Sequence, residues 1–196
     1  MPLVVIDTKL TGTKANQVCQ LAYIEVKDDR TVAGNIYFKV DEMSEYATAV
    51  HGLTLERLDR KSKGLRFEAY SRELTDLFAG KRIAGHSVGC DLRALRQEFK
   101  RCGAEFPEHK QFCTMNHFTP ILNIHIQGQR KPKSPSLAEV CESLGVKRED
   151  VLRACGELYD CSSAPHDARY DACATLLCIE RGFKRGLIRG ILPEGW

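Results

Sequence analysis

Residues 3–12 read LVVIDTKLTG, and the reading of this stretch decides the fold. It opens with four consecutive apolar residues, Leu3, Val4, Val5 and Ile6, of which the last three are β-branched. A short, continuous run of this kind predicts a strand buried on both faces, the usual centre of an α/β sheet. Asp7 follows the apolar run directly, and Thr11-Gly12 signals a turn. The end of a central strand is where α/β proteins tend to place their chemistry, which makes Asp7 a candidate functional carboxylate. Taken alone, an Asp in that position is more often a turn cap.

Moving outward, Val18 to Lys27 and Thr31 to Val40 read as two further strands, joined at a tight turn signalled by Asp28-Asp29. Asp41 to Thr48 reads as an irregular loop, and Thr54 as the N-cap of a short helix through Leu58. Apolar residues at 67, 70, 74, 77 and 78 give helical spacing from Phe67 to Phe78. Arg82 to Gly85 is a short strand leading into His86, and Asp91 to Arg101 a helix stopped by Gly103. Gln111 to Met115 is a further strand, with helix expected from there to Ile126. After a basic loop at Gly128 to Pro135, Ser136 and Glu139 form a capping box for a helix ending at Gly145. The last long helix is expected over about His166 to Phe183. Three strands followed by helices alternating with short strands predict an α/β fold, a mixed five-stranded sheet flanked by helices.

The chain has 196 residues, enough for a sizeable core, and one domain over 1–196 is expected. Hydrophobic residues make up 43% and charged residues 28%, which excludes a disordered chain as the default. A net charge of +3 is too small to imply a polyanionic partner by itself, so any nucleic-acid surface must come from local clusters. One such cluster is Arg130, Lys131 and Lys133; another is Arg181, Lys184, Arg185 and Arg189, and each reads equally well as a solvated surface. Nine cysteines with no C-x-x-C pair and no signal peptide read as reduced thiols of a cytoplasmic protein, mostly small core residues. Cys155, Cys161 and His166 do not have the spacing of a structural zinc site. No apolar run approaches the ~18 residues that would span a membrane, and no membrane partner is expected.

Asp91 at the head of one helix and Asp171 in the first turns of another sit, like Asp7, at element edges beside small residues, and His166 lies five positions before Asp171. Each alone is explained by helix capping or the helix dipole. Together they suggest more, because clustered carboxylates repel one another unless a cation neutralises them, and hard cations take oxygen ligands. Two such ions ~4 Å apart serve phosphodiester displacement, and a neutral His nearby serves as a base.

The chain resembles the DnaQ-like 3′-5′ exonucleases, the DEDDh branch of the ribonuclease H-like fold. The family's D-x-E-T-T-G is matched by DTKLTG at Asp7 to Gly12, and its H-N-x-x-F-D by HSVGCD at His86 to Asp91. Its H-x-A-x-x-D-A-x-A-T is matched throughout by HDARYDACAT at His166 to Thr175. HGLT at His51 to Thr54 and FCTM at Phe112 to Met115 also look like family features. The resemblance spans nearly the whole chain in the right order. It implies metal-ligand roles for Asp7, Asp91 and Asp171, with Mg²⁺ or Mn²⁺ as cofactor, and a general base at His166. It also implies that Leu10, Thr11 and Gly12 lie under a 3′-terminal nucleotide, with His51 near its base or sugar. Single-stranded 3′ ends of DNA or RNA would be the substrate and nucleoside 5′-monophosphates the product. A polymerase or other replication or repair protein, and a second copy of the chain, are the partners it suggests.

One departure stands out. Lys9 occupies the position of the motif's Glu, a metal ligand in the family. An ammonium has no acceptor and cannot ligate a cation while protonated. Either it takes the metal's place and pairs with Asp7 or Asp171, or it swings out and leaves a weakened metal site. Leu10 for Thr, Gln20 for Glu and Ser87 for Asn are smaller departures. The expectation is thus a metal-dependent 3′-5′ exonuclease, or one whose turnover Lys9 impairs, with an inactive pseudo-exonuclease that binds nucleic acid or protein as the alternative.

Overall fold

The computed structural model describes residues 1–14, 16–27 and 30–192. The expected Asp28-Asp29 turn lies outside them. Five strands form one mixed sheet in the order β3-β2-β1-β4-β5. They are β1 (Leu3–Leu10), β2 (Val18–Val26), β3 (Thr31–Tyr37), β4 (Arg82–Gly85) and β5 (Lys110–Cys113). β1 pairs antiparallel with β2 and parallel with β4, so it sits at the centre.

The apolar run places β1 there. Leu3 and Val5 join one core with α5 (Thr114–Leu122), α6 (Leu137–Leu144), α7 (Arg148–Tyr159) and α8 (Ala168–Lys184). Val4 and Ile6 join another core on the opposite face, with α3 (Ser71–Phe78) and α4 (Val88–Arg101). All four residues are buried, as a strand covered on both faces requires. Each such side chain is worth about 1.5–3 kcal/mol of transfer free energy.

β1 runs on to Leu10, four residues past the apolar run. Asp7 therefore lies within the strand instead of following it, held by eight residue pairings to β2. On the other side β4 ends at Gly85, and β1 pairs with it only from Leu3 to Val5. Beyond Val5 the central strand is open along one edge, which creates a crevice at its carboxyl end.

Several elements differ from the sequence expectation. The loop expected at Asp41 to Thr48 contains the start of α1 (Glu45–His51), capped by Ser44, whose hydroxyl accepts from the Ala47 N–H at 3.1 Å. Only Ala47 of that helix is buried, so it carries no apolar period to be read. α7 has no counterpart in the sequence reading; its buried residues are Val151 and Cys155, too few for a clear stripe. The short helix after Thr54 is α2 (Leu55–Ser62). Phe67–Tyr70 forms a 3-10 turn ahead of α3. β3 stops at Tyr37, β5 at Cys113 and α5 at Leu122, where Asn123 turns left-handed with φ 46°. α4 begins at Val88, so Asp91 lies inside its first turn, and α8 begins at Ala168, after His166.

Candidate active site

Strand parity assembles the site. Odd residues of β1 face α8 and even residues face α4, the division already set by Leu3, Val5 and Val4, Ile6. Asp7 and Lys9 therefore point toward α8, and Asp171 in its first turn meets them. Lys9 Nζ donates to Asp7 Oδ2 at 2.7 Å and to Asp171 Oδ2 at 2.6 Å. The three side chains are only 11–17% exposed. Asp171 uses its other oxygen on the His166 backbone N–H, at 3.4 Å.

Asp91 reaches the same place from α4. At the open edge of β1, the Thr8 N–H lacks a strand partner and donates to Asp91 Oδ1 at 3.0 Å, while the Thr8 hydroxyl donates to the same oxygen at 2.6 Å. Asp91 is thus tied to the backbone between Asp7 and Lys9. The structure brings the three aspartates and Lys9 together, the convergence that the resemblance implied, and adds Thr8. The period-2 pattern of β1 was the signal that would have found it.

The electrostatics follow from three carboxylates sharing one ammonium. Burial raises the Asp7 carboxyl well above the usual range; Lys9 opposes this, and Asp171 and Asp91 add to it. Burial likewise lifts Asp91 to about 6, against the hydrogen bonds from Thr8. Burial disfavours charge on Lys9, but the two carboxylates outweigh it and push its pKa above that of an ordinary lysine. Lys9 is held as a cation.

The strand end beyond the cluster is shaped by a bulge. The β1–β2 register shifts between Lys9 and Leu10, and Cys19, the extra residue, donates its thiol to the Lys9 carbonyl at 3.1 Å. Thr11 is fully buried and its hydroxyl accepts from the Gln17 N–H at 3.0 Å, so its side chain braces the turn. Gly12 has φ 65°, and a Cβ there would stand 2.5 Å from the Ser44 hydroxyl that caps α1. His51, the last residue of α1, accepts the Leu53 N–H at Nδ1 (3.1 Å), which leaves Nε2–H to donate to the Leu10 carbonyl at 3.2 Å. Burial keeps its imidazole pKa low. Leu10, Gly12 and His51 thus form one lip of the crevice.

His166 stands exposed in a left-handed conformation, φ 70°, immediately before α8. Its neighbour Asp167 caps that helix, and Gln20 binds the cap: its side-chain amide donates to Asp167 at 3.1 Å and to Asn35 at 2.8 Å. Gln20 pairs in register with Lys9. It locates the start of α8 without joining the charged cluster. His86 is also structural, donating Nε2–H to the Pro135 carbonyl at 3.1 Å. Beside the cluster, a cavity of about 600 Å³ is lined by Leu137, Cys141, Val151 and Ala174, with His166 and Asp171 among its walls. A second cavity of about 710 Å³, around Phe106 and His109, borders Met1, Gly80 and Lys110, at the opposite end of the sheet.

The donor set does not fit a pair of divalent ions. The Asp7 and Asp171 oxygens that would face a cation are already bound by Lys9 Nζ, and replacing a carboxylate by an ammonium changes the formal charge by two units. Among the described residues, no three His, Cys, Asp or Glu side chains gather in a group that could hold an ion. The site as built is a carboxylate cluster neutralised in part by its own lysine.

Residues 4–177 match the model of the RNase_T family, described as Exonuclease. No curated protein matches the chain in sequence. Among solved structures, E. coli Exonuclease I in complex with a dA16 oligonucleotide is similar at TM-score 0.71 and 16% identity, covering 95% of this chain and 42% of that one. The metal-free E. coli ExoI–ssDNA complex is similar at TM-score 0.70 and 16% identity, over 94% and 40% of the two chains. Cell-death related nuclease 4 gives TM-score 0.66 and 15% identity, over 94% and 64%. The chain thus spans about two fifths of the Exonuclease I length.

Proposed function

Since the chain belongs to the RNase_T exonuclease family and shares the fold of Exonuclease I, we propose that it is a DnaQ-like protein that binds single-stranded 3′ ends of nucleic acid in this crevice as one domain over residues 1–196, with 3′-5′ phosphodiester hydrolysis strongly suppressed by Lys9. The observation that carries the reading is the ammonium bridging Asp7 and Asp171 at 2.7 and 2.6 Å. It supplies the charge compensation that Mg²⁺ or Mn²⁺ would otherwise bring. Further support comes from Asp91 braced by Thr8, from His166 beside Asp171, and from the lip of Leu10, Gly12 and His51, which we assign to the terminal nucleotide.

In this reading Lys9 preorganises the cleft without metal. E. coli Exonuclease I structures are in complex with dA16 and 5cy-dT13 oligonucleotides and with ssDNA, which supports an ssDNA ligand for this crevice as well. His166, exposed at the mouth, is the group we assign to proton transfer if hydrolysis is restored.

The deciding experiment is digestion of a 3′-labelled single strand with Mg²⁺ or Mn²⁺, alongside equilibrium binding of the same strand. The parent chain is expected to bind the strand and release nucleotide slowly, with Lys9→Glu faster by about 100-fold or more. Asp171→Ala in the Lys9→Glu background should abolish that gain. A parent as fast as Lys9→Glu would overturn the suppression, and a parent that does not bind the strand would overturn the reading altogether.

A further inference from the structure

On α8, Asp171, Ala174 and Cys178 follow one another at helical spacing along one face, and Cys141 of α6 lies opposite the last of them. The two sulfurs are 3.5 Å apart, within hydrogen-bond distance. Cys178 is fully buried, whereas Cys141 is only partly so and lines the 600 Å³ cavity beside the carboxylate cluster. One thiol of the pair is therefore reached from the cavity and the other waits behind it. We propose that Cys141 and Cys178 are a peroxide-responsive thiol pair, which oxidation joins into a disulfide linking α6 to α8.

The chemistry balances with hydrogen peroxide as the oxidant. The Cys141 thiolate attacks one peroxide oxygen, the O–O bond breaks, and the departing hydroxide is protonated to water, leaving Cys141 as a sulfenic acid. The Cys178 sulfur then attacks the Cys141 sulfur, the S–S bond forms, the S–O bond breaks, and the hydroxyl leaves with the Cys178 proton as a second water. Two thiols lose two electrons, and the peroxide gains them. Closing the sulfurs from 3.5 Å to the ~2.05 Å of a disulfide asks for side-chain rotation and a small approach of two packed helices. The hydrogen bond from Cys178 also lowers the Cys141 thiol pKa, favouring the nucleophilic thiolate.

Two other thiol environments lack this combination. Cys155 and Cys173 are both fully buried. Cys90 is exposed, but its sulfur faces the Ser87 hydroxyl and the Arg93 guanidinium, with no thiol among those partners to resolve a sulfenic acid.

The test is brief exposure of the full chain to equimolar hydrogen peroxide, alkylation of free thiols, digestion and mass spectrometry. The expected product joins the Cys141 and Cys178 peptides with a loss of two hydrogens and is released by dithiothreitol. In Cys178→Ser the link disappears and dimedone labels Cys141 instead; Cys155→Ser keeps the link. Recovery of Cys141 in the oxidised parent as a free alkylated thiol, or as a sulfenic acid with no link, would overturn the pairing, as would a disulfide from Cys178 to any other cysteine. The parent measurement needs no variant to fold.

Discussion

Lys9 Nζ lies 2.6 Å from Asp171 Oδ2, across 162 positions of sequence. The contact joins the central strand to the first turn of the last long helix and places a fixed positive charge among carboxylates. Breaking it from the lysine side leaves Asp7 and Asp171 facing each other in a largely buried setting. Lys9→Met should therefore destabilise the fold by about 3 kcal/mol, measured by urea unfolding at neutral pH.

Metal dependence separates the parent from its restored form. The melting temperature of the parent should be unchanged by Mg²⁺, Mn²⁺ or a chelator, because Lys9 holds the carboxylates that would bind the ion. Lys9→Glu should melt lower in chelator and recover with Mn²⁺, gaining about 2.7 kcal/mol at a hundredfold excess over its Kd. Scanning fluorimetry across a metal titration reads both outcomes.

Thr8 tests how Asp91 is held. Thr8→Val removes the hydroxyl at 2.6 Å but keeps the N–H at 3.0 Å and the β-branched shape. The loss of a hydrogen bond to a buried carboxylate should cost about 1.5–3 kcal/mol, read by chemical denaturation. A cost near zero would mean that the N–H alone holds Asp91.

Ser87 sits at φ 66° just before α4, a left-handed conformation that a non-glycine residue occupies at a penalty. Its side chain caps nothing. Ser87→Gly should raise stability by about 1 kcal/mol, visible as a higher melting temperature with the strand-binding affinity of the parent.

Glu139 gives a pH signature away from the crevice. Hydrogen bonds from Lys133 and the Ser136 backbone hold its carboxyl at about 2, below the ordinary value of 4.5. A folded pKa lower than the unfolded one means its contribution is fully present above about pH 4.5 and is lost as pH falls toward 2. The melting-temperature gap between the parent and Glu139→Gln should accordingly shrink across that window.

The centre of the molecule was legible because its causes are local. Four apolar residues with no polar interruption predict a doubly covered strand, and Leu3 to Ile6 form one. Ser136 and Glu139 name a capping box, and both reciprocal bonds are present. Convergence of Asp7, Asp91 and Asp171 was not local, and came from motif resemblance; no period or spacing brings α8 to β1. Thr8 is not legible from the apolar run, which ends at Ile6 and hides the alternation that turns residues 7 and 9 one way and 8 the other. α1 and α7 escaped because helices that bury one or two side chains leave little pattern in the sequence. Of the two fates expected for Lys9, the structure has the ammonium paired with both candidate partners at once.

The bulge at Cys19 of β2 divides the β1–β2 pairing into two registers. Up to Lys9 each step along β1 is matched by one along β2; Leu10 pairs with Val18, past the extra residue, and its carbonyl accepts from His51 of α1. The lip and the charged cluster thus stand on opposite sides of one register shift, so a change that removed the bulge would move one against the other.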